Sequence, residues 1–140
     1  MEKRQGGLYK DGVQVPAFKT FSEALDSFLN WLRQATKQQK VVLVAHNAKG
    51  FDIPILLHNT KNAGKLNKLT NHVAGYIDTL PLFRTKLGLK NNSLERLAFK
   101  FGVRHGDHDA LGDSECLRLV VEKAKITDDE LRSSFTELAA

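Results

Sequence analysis

Residues 105–113 read His-Gly-Asp-His-Asp-Ala-Leu-Gly-Asp, which places two of the chain's five histidines and three of its acids within nine residues. Carboxylates offer the hard oxygen ligands that Mg²⁺ or Mn²⁺ prefer. An imidazole titrating near neutrality can take a proton from water. His108 lies five residues before Asp113, where an apolar helical pattern begins at Ala110, so both side chains can reach one cleft from the start of that helix. His105, Asp107 and Asp109 read as solvated loop residues, at most supporting a ligand from behind. A mixed imidazole–carboxylate Zn²⁺ site built from His105, Asp107 and His108 is a second use of the same stretch. Taken alone, Asp113 is equally an acid in a first helical turn, and His108 equally a surface loop residue.

Two other segments carry chemistry-bearing residues. Val41 to Ala45 is an apolar run followed by His46-Asn47-Ala48-Lys49-Gly50, then Phe51 and Asp52 at the start of a helical pattern. A helix N-terminus favours an acid through its dipole, so Asp52 alone needs no catalytic role. Tyr76-Ile77-Asp78-Thr79 reads as a strand end, with Asp78 bonding neighbouring backbone rather than serving as a ligand. His46, His58 and His72 show no ligand spacing. Lys49, Lys61, Lys65 and Lys68 are candidates for phosphate contacts, although scattered surface lysines require none.

The elements that must position these residues follow from periodicity and caps. Thr20 and Glu23 form a T-x-x-E box ahead of Phe21, Ala24, Leu25, Phe28, Leu29 and Leu32, which predicts a helix over 20–38 with Trp31 at the edge of its buried stripe. Val41–Ala45 and Val73–Thr79 predict strands buried on both faces, as in a parallel sheet. Phe51 to about Asn62 is helical, with Pro54 tolerated in the first turn. Residues 65–72 are a polar connection. Leu80–Leu87 is a short helix closed by Gly88. Asn92 with Glu95 caps the next, which Gly102 stops. Ala110–Lys125 is a helix turning Leu111, Leu117, Val120 and Val121 inward, and Thr127 with Glu130 caps a last helix running to the C-terminus. Asp11-Gly12 between Leu8-Tyr9 and Val13-Gln14-Val15 is a hairpin signal. The fold class is therefore α/β. Two lone strands make a marginal sheet with unprotected edges. Either the hairpin region adds strands or the chain lacks part of a larger fold.

The 140 residues fit one domain spanning 1–140, and 41% hydrophobic content is adequate for a core. No apolar run approaches the roughly 20 residues of a membrane helix, and the start Met-Glu-Lys-Arg-Gln-Gly-Gly lacks the apolar segment of a secretory signal. Cys116 is the single cysteine and reads as a small core residue; an intracellular setting, nucleus or cytoplasm, is expected. The net charge of +5 is compatible with a polyanionic partner, although no long basic run exists.

In sequence order the three segments resemble the DEDDh 3′–5′ exonucleases of the ribonuclease H-like superfamily. The family's N-x-x-x-F-D pattern is matched by Asn47, Phe51 and Asp52. Its H-x-A-x-x-D pattern is matched by His108, Ala110 and Asp113, and Asp78-Thr79-Leu80 matches a family strand end. The likeness runs from about residue 8 to 125. The wording, including Asp78-Thr79-Leu80-Pro81-Leu82-Phe83, is especially similar to the exonuclease-like C-terminal domain of relatives of promyelocytic leukaemia protein. The resemblance implies a ribonuclease H-like fold and hydrolysis of phosphodiesters at single-stranded nucleic-acid ends, with two divalent ions held about 3.5–4 Å apart by carboxylates. It implies Asp52 and Asp113 as metal-linked acids (Mg²⁺ or Mn²⁺) and His108 as the base toward water, with Asn47 and Phe51 shaping the turn. The family's first motif, D-x-E on the first strand, supplies two further acids, and no D-x-E precedes Asp52 here: Glu2 is followed by Lys-Arg-Gln, and Glu23 and Asp26 lie on an amphipathic helix. The expectation is an exonuclease fold lacking its first strands, weak or inactive as this chain. The alternative is a non-catalytic nucleic-acid- or protein-binding module on a relict exonuclease fold. A protein partner or a homo-oligomer is compatible with either.

Overall fold

Where Thr20 opens the first helix, its hydroxyl accepts the Glu23 N–H at 3.1 Å, the cap that the T-x-x-E pattern predicts. Helix α1 (Phe21–Ala35) then buries Leu25, Leu29 and Leu32, one stripe at spacings of three and four. Trp31 lies outside that stripe: it is exposed and stacks on Phe28 with ring centroids 6.3 Å apart. The computed structural model describes residues 2–4, 7–10, 13–15, 20–88, 91–105 and 110–138.

Two three-stranded sheets form. The first is an antiparallel meander of β1 (Glu2–Arg4), β2 (Gly7–Lys10) and β3 (Val13–Val15), one strand more than the hairpin signal predicts. The second has the order β4 (Val41–Ala45), β5 (Val73–Asp78), β6 (Phe135–Glu137). The strands β4 and β5 are parallel, whereas β6 runs antiparallel to β5, with Tyr76 opposite Thr136. The last strand stands where the sequence predicts continued helix. It fits because Gly75 has no side chain: a Cβ there would overlap the Thr136 carbonyl oxygen and come within 2.6 Å of the Phe135 ring. The expectation that β4 is buried on both faces is corrected, since Val42 and Val44 are 42% and 46% exposed while Val41, Leu43 and Ala45 face the core.

Between β4 and β5 the chain forms α2 (Ile53–Asn62) and α3 (Leu66–His72). Of the two leucines in α3, Leu66 and Leu69, only Leu69 is fully buried. The N-terminus of the helix is tied to α1 by Asp26, which accepts from Lys65 at 2.5 Å and from Lys68 at 2.7 Å. These two ammonium groups hold the Asp26 carboxyl below its ordinary pKa. After β5 come α4 (Thr79–Leu87), α5 (Leu94–Phe101), α6 (Ala110–Lys123) and α7 (Asp128–Ser133). The cap of α5 is Ser93, whose hydroxyl accepts the Arg96 N–H, rather than Asn92. The Thr127/Glu130 capping box is formed in both directions. Leu111 in α6 is exposed, contrary to its predicted inward position, while Cys116, Leu117 and Val120 are buried as expected. Among the described residues no helix is long and apolar enough to cross a membrane.

The interior has two separate apolar clusters. The first joins α1, α2, α3 and β5 through Leu25, Leu29, Ile53, Leu69, Val73 and Tyr76. The second joins α4, α5 and α6 through Phe83, Leu97, Cys116 and Val120. Leu29, Leu69, Phe83 and Leu97 are fully buried, each contributing about 1.5–3 kcal/mol.

Candidate active site

The parallel strands β4 and β5 end side by side, with Ala45 opposite Asp78. Ligands of α/β sheets gather beyond such carboxyl ends, where the strand hands over to loop and helix. Asp78 is buried and acts on backbone, as its position predicts: Oδ1 accepts the Leu80 N–H and Oδ2 accepts the Lys49 N–H, both at 3.0 Å. One carboxylate thus caps α4 and fixes the turn that follows β4.

His46 supplies a second tie. Its Nε2 meets the Asn92 carbonyl oxygen at 2.5 Å, and its Nδ1 meets the Thr79 hydroxyl at 2.8 Å. A carbonyl can only accept, so Nε2 donates to Asn92, while Nδ1 pairs with the Thr79 hydroxyl, which also lies 3.4 Å from the Ala45 carbonyl oxygen. Burial pushes the imidazole pKa down from its ordinary value, against the Asn92 carbonyl and the Asp78 charge, which push it up. The ring therefore joins the end of β4 to the start of α4 and to the segment leading into α5. Sequence reasoning gave His46 no role, because its partners lie 33 and 46 residues away.

The turn after β4 is unusual in its winding. Asn47 adopts the left-handed conformation at φ 60°, ψ 36°, which Asn tolerates better than most residues. Residues 48–52 then form one π-type turn in which the Ile53 N–H reaches back to the Ala48 carbonyl. Pro54, which has no N–H to donate, sits at the start of α2. A Cβ at Gly50 would fall 2.7 Å from Asn47 Oδ1, so the small residue lets the Asn47 side chain fold over the turn. This winding delivers Phe51 and Asp52 to the surface at the strand end, both exposed. Partial burial raises the Asp52 pKa, and the like charge of Asp78 raises it further.

The other wall comes from α5 and α6. An open cavity of about 570 Å³ is lined by Val44, His46, Phe51, Asp52, Leu94 and Asp113, with Ser114 and Leu117 behind them. Asp52 and Asp113, predicted from separate motifs, therefore face the same space. Asp113 Oδ1 lies 2.9 Å from His105 Nε2, and the His105 side chain is largely covered. This corrects the reading of His105 as a solvated loop residue: it is the partner of Asp113. The signal was out of reach in the sequence, because the two residues stand eight apart, a spacing with no helical or strand repeat behind it. His108, Asp107 and Asp109 lie outside the described residues.

Among the described residues no three His, Cys, Asp or Glu side chains come together as a metal group. Among the described residues the carboxylates facing the cavity are Asp52 and Asp113, and Asp113 is already engaged by an imidazole. Within the described part of the first 35 residues, Asp26 is committed to Lys65 and Lys68. The same pairing takes these two lysines from the set considered for phosphate.

No family model matches the chain. Over 144 aligned positions it is 30% identical to a protein of Arabidopsis thaliana named exonuclease DPD1, chloroplastic/mitochondrial. The alignment covers 94% of this chain and 43% of that protein, so the chain spans less than half the length of its relative. This similarity supports an exonuclease-like, nuclease-type domain on a mixed α/β framework.

Proposed function

We propose that the chain is a DEDDh-type exonuclease domain that takes single-stranded nucleic-acid ends into the cleft between Asp52 and Asp113, and that it hydrolyses them weakly or not at all by itself. The observation that carries this reading is the shared cavity of Asp52 and Asp113 at the carboxyl ends of two parallel strands. The exonuclease relative supports the reaction class. The kinship with exonuclease-like domains of promyelocytic leukaemia protein relatives belongs to the same proposal and rests on the Asp78–Phe83 wording.

Within this reading His105 orients the Asp113 carboxylate, His46 sets the separation of the cleft walls, and His108 takes the proton-accepting role that the family pattern assigns to it. A resident Mg²⁺ or Mn²⁺ would supply charge on the phosphate oxygens, and two acids support at most one hydrated ion held loosely. The second reading, a non-catalytic binding module, is favoured by that same sparse donor set. A 3′–5′ degradation assay with 5′-labelled single-stranded DNA and RNA, in Mg²⁺ and in Mn²⁺, tests the proposal. Binding with trace or no degradation is expected. Robust degradation abolished by Asp113→Ala would refute the weak-activity claim, and absence of both binding and degradation would refute the nucleic-acid reading.

A further inference from the structure

Next to the cleft lies a second cavity of about 540 Å³, lined by Asn91, Ser93, Arg96, Phe99, Val103 and His105, together with Glu95 and Ala98. The two cavities share a wall. Ser93 lines one and its neighbour Leu94 the other, and His105 of the second holds Asp113 of the first at 2.9 Å.

The outer face of α5 is built in an uncommon way. Leu97 and Ala98 are buried, but Phe99 is 87% exposed, in the middle of an eight-residue helix. Arg96, three residues before, shares the helical face of Phe99, Lys100 is exposed about 100° round the helix from it, and the exposed Arg104 follows the helix. None of these three cations makes an ion pair with a described residue, whereas Lys65, Lys68, Lys86 and Arg118 all do. Among the described residues Glu95 is the one acid lining the cavity. An unburied aromatic ring among unpaired cations suits a ligand that offers flat π-faces at regular intervals along a chain of negative charge. Single-stranded nucleic acid has that chemistry: bases stack on the ring while phosphates meet the cations.

We propose that Phe99, with Arg96, Lys100 and Arg104, is a base-stacking platform for the part of a single strand that lies outside the cleft. The platform rests on the nucleic-acid reading of the cleft and names where the rest of the strand travels. It binds without sequence preference, since every base has a face to stack.

The test is fluorescence anisotropy in EDTA with a labelled ten-nucleotide oligothymidine and with an abasic strand of the same length. Phe99→Ala is expected to weaken oligothymidine binding at least about fivefold, the low end for an aromatic–base stack, and to leave abasic binding unchanged. Arg96→Ala is expected to reduce the salt dependence of log Kd by about 0.7, one phosphate contact on a single strand. Unchanged melting temperatures confirm that both exposed substitutions leave the fold intact. Wild-type binding that Phe99→Ala does not alter overturns the platform and leaves the cleft reading standing. Equal weakening for the abasic strand overturns stacking. Tighter binding to phosphatidylserine vesicles than to the oligonucleotide reassigns the face to a membrane surface and overturns the proposal. No binding to either strand removes the platform and the cleft reading together.

Discussion

Asp78 is the residue whose removal has the most calculable consequence. Its two oxygens accept the Lys49 and Leu80 N–H groups, both at 3.0 Å, in a buried position. Asp78→Ala leaves both donors without an acceptor, at about 1–3 kcal/mol each for a buried group, while water reaching the vacated space recovers part of that. The Leu80 bond is also the N-cap of α4, whose loss alone costs about 1 kcal/mol. A net loss of about 3 kcal/mol follows, a substantial part of the roughly 5–15 kcal/mol that holds a typical domain folded. For a chain of this size that corresponds to a fall in Tm of about 10 °C. Asp78→Asn keeps one acceptor and is expected to cost about half as much. Urea denaturation with the midpoint and slope fitted separately measures both. A second readout is specific to the site. The Asp78 charge contributes to the raised Asp52 pKa, so neutralising it in Asp78→Asn must lower the Asp52 value, which a carboxyl-detected NMR titration reads. A loss below about 0.5 kcal/mol in Asp78→Ala, or an Asp52 titration unchanged in Asp78→Asn, would show that the clamp does not work as described.

Other expectations follow from the same contacts. His46 has a folded-state pKa below its ordinary value of 6.5, so the unfolded chain binds the proton first as pH falls; stability is full above about 6.5 and declines toward the folded-state value, and this acid-side decline should shrink in His46→Gln when Tm is followed against pH. Asp52 has the opposite sign. Its raised pKa means that ionisation disfavours the folded state, so Asp52→Asn is expected to raise Tm at pH 7 while leaving it little changed near pH 3, and a lower Tm at pH 7 would contradict the burial and repulsion assigned to it. Gly75→Ala should expel β6, seen as fast amide exchange at Tyr76 and Phe135–Glu137, and retained protection there would mean that the strand can shift to admit a methyl group. Burial and the Asp113 charge hold the Cys116 thiol above its ordinary pKa, so it should react with a disulfide reagent only as fast as the domain opens, and a rate matching a free thiol would place it at the surface.

The features that the sequence revealed are those with local causes. The caps at Thr20 and Thr127, the stripe Leu25–Leu29–Leu32 and the bond from the Leu80 N–H to Asp78 each depend on residues within a few turns, and the apolar runs of β4 and β5 are local as well. The features it concealed have distant causes. Helix α3 has a single fully buried residue, Leu69, and the ion pairs at its start reach Asp26, 39 and 42 residues earlier. Strand β6 is three residues long, and what admits it is a missing side chain at Gly75. A short apolar run such as Val41–Ala45 shows that at least one face is covered but not that both are, and here Val42 and Val44 stand open. At the site, the motif residues Asp52 and Asp113 were legible by pattern. The contacts of His105 with Asp113 and of His46 with Thr79 and Asn92 were not, because each acts across a fold that periodicity cannot close.

The two apolar clusters have a mechanical meaning. They share no buried residue, and the cleft lies along the line between them, with Asp52 ahead of the first cluster's α2 and Asp113 on an α6 that packs in the second. A packed core resists shear, so relative motion of the two halves concentrates at this line. A ligand gripped from both sides would act as a strut across it. Its binding energy would add to the stability of the folded domain, so the melting temperature would rise with ligand concentration and report occupancy.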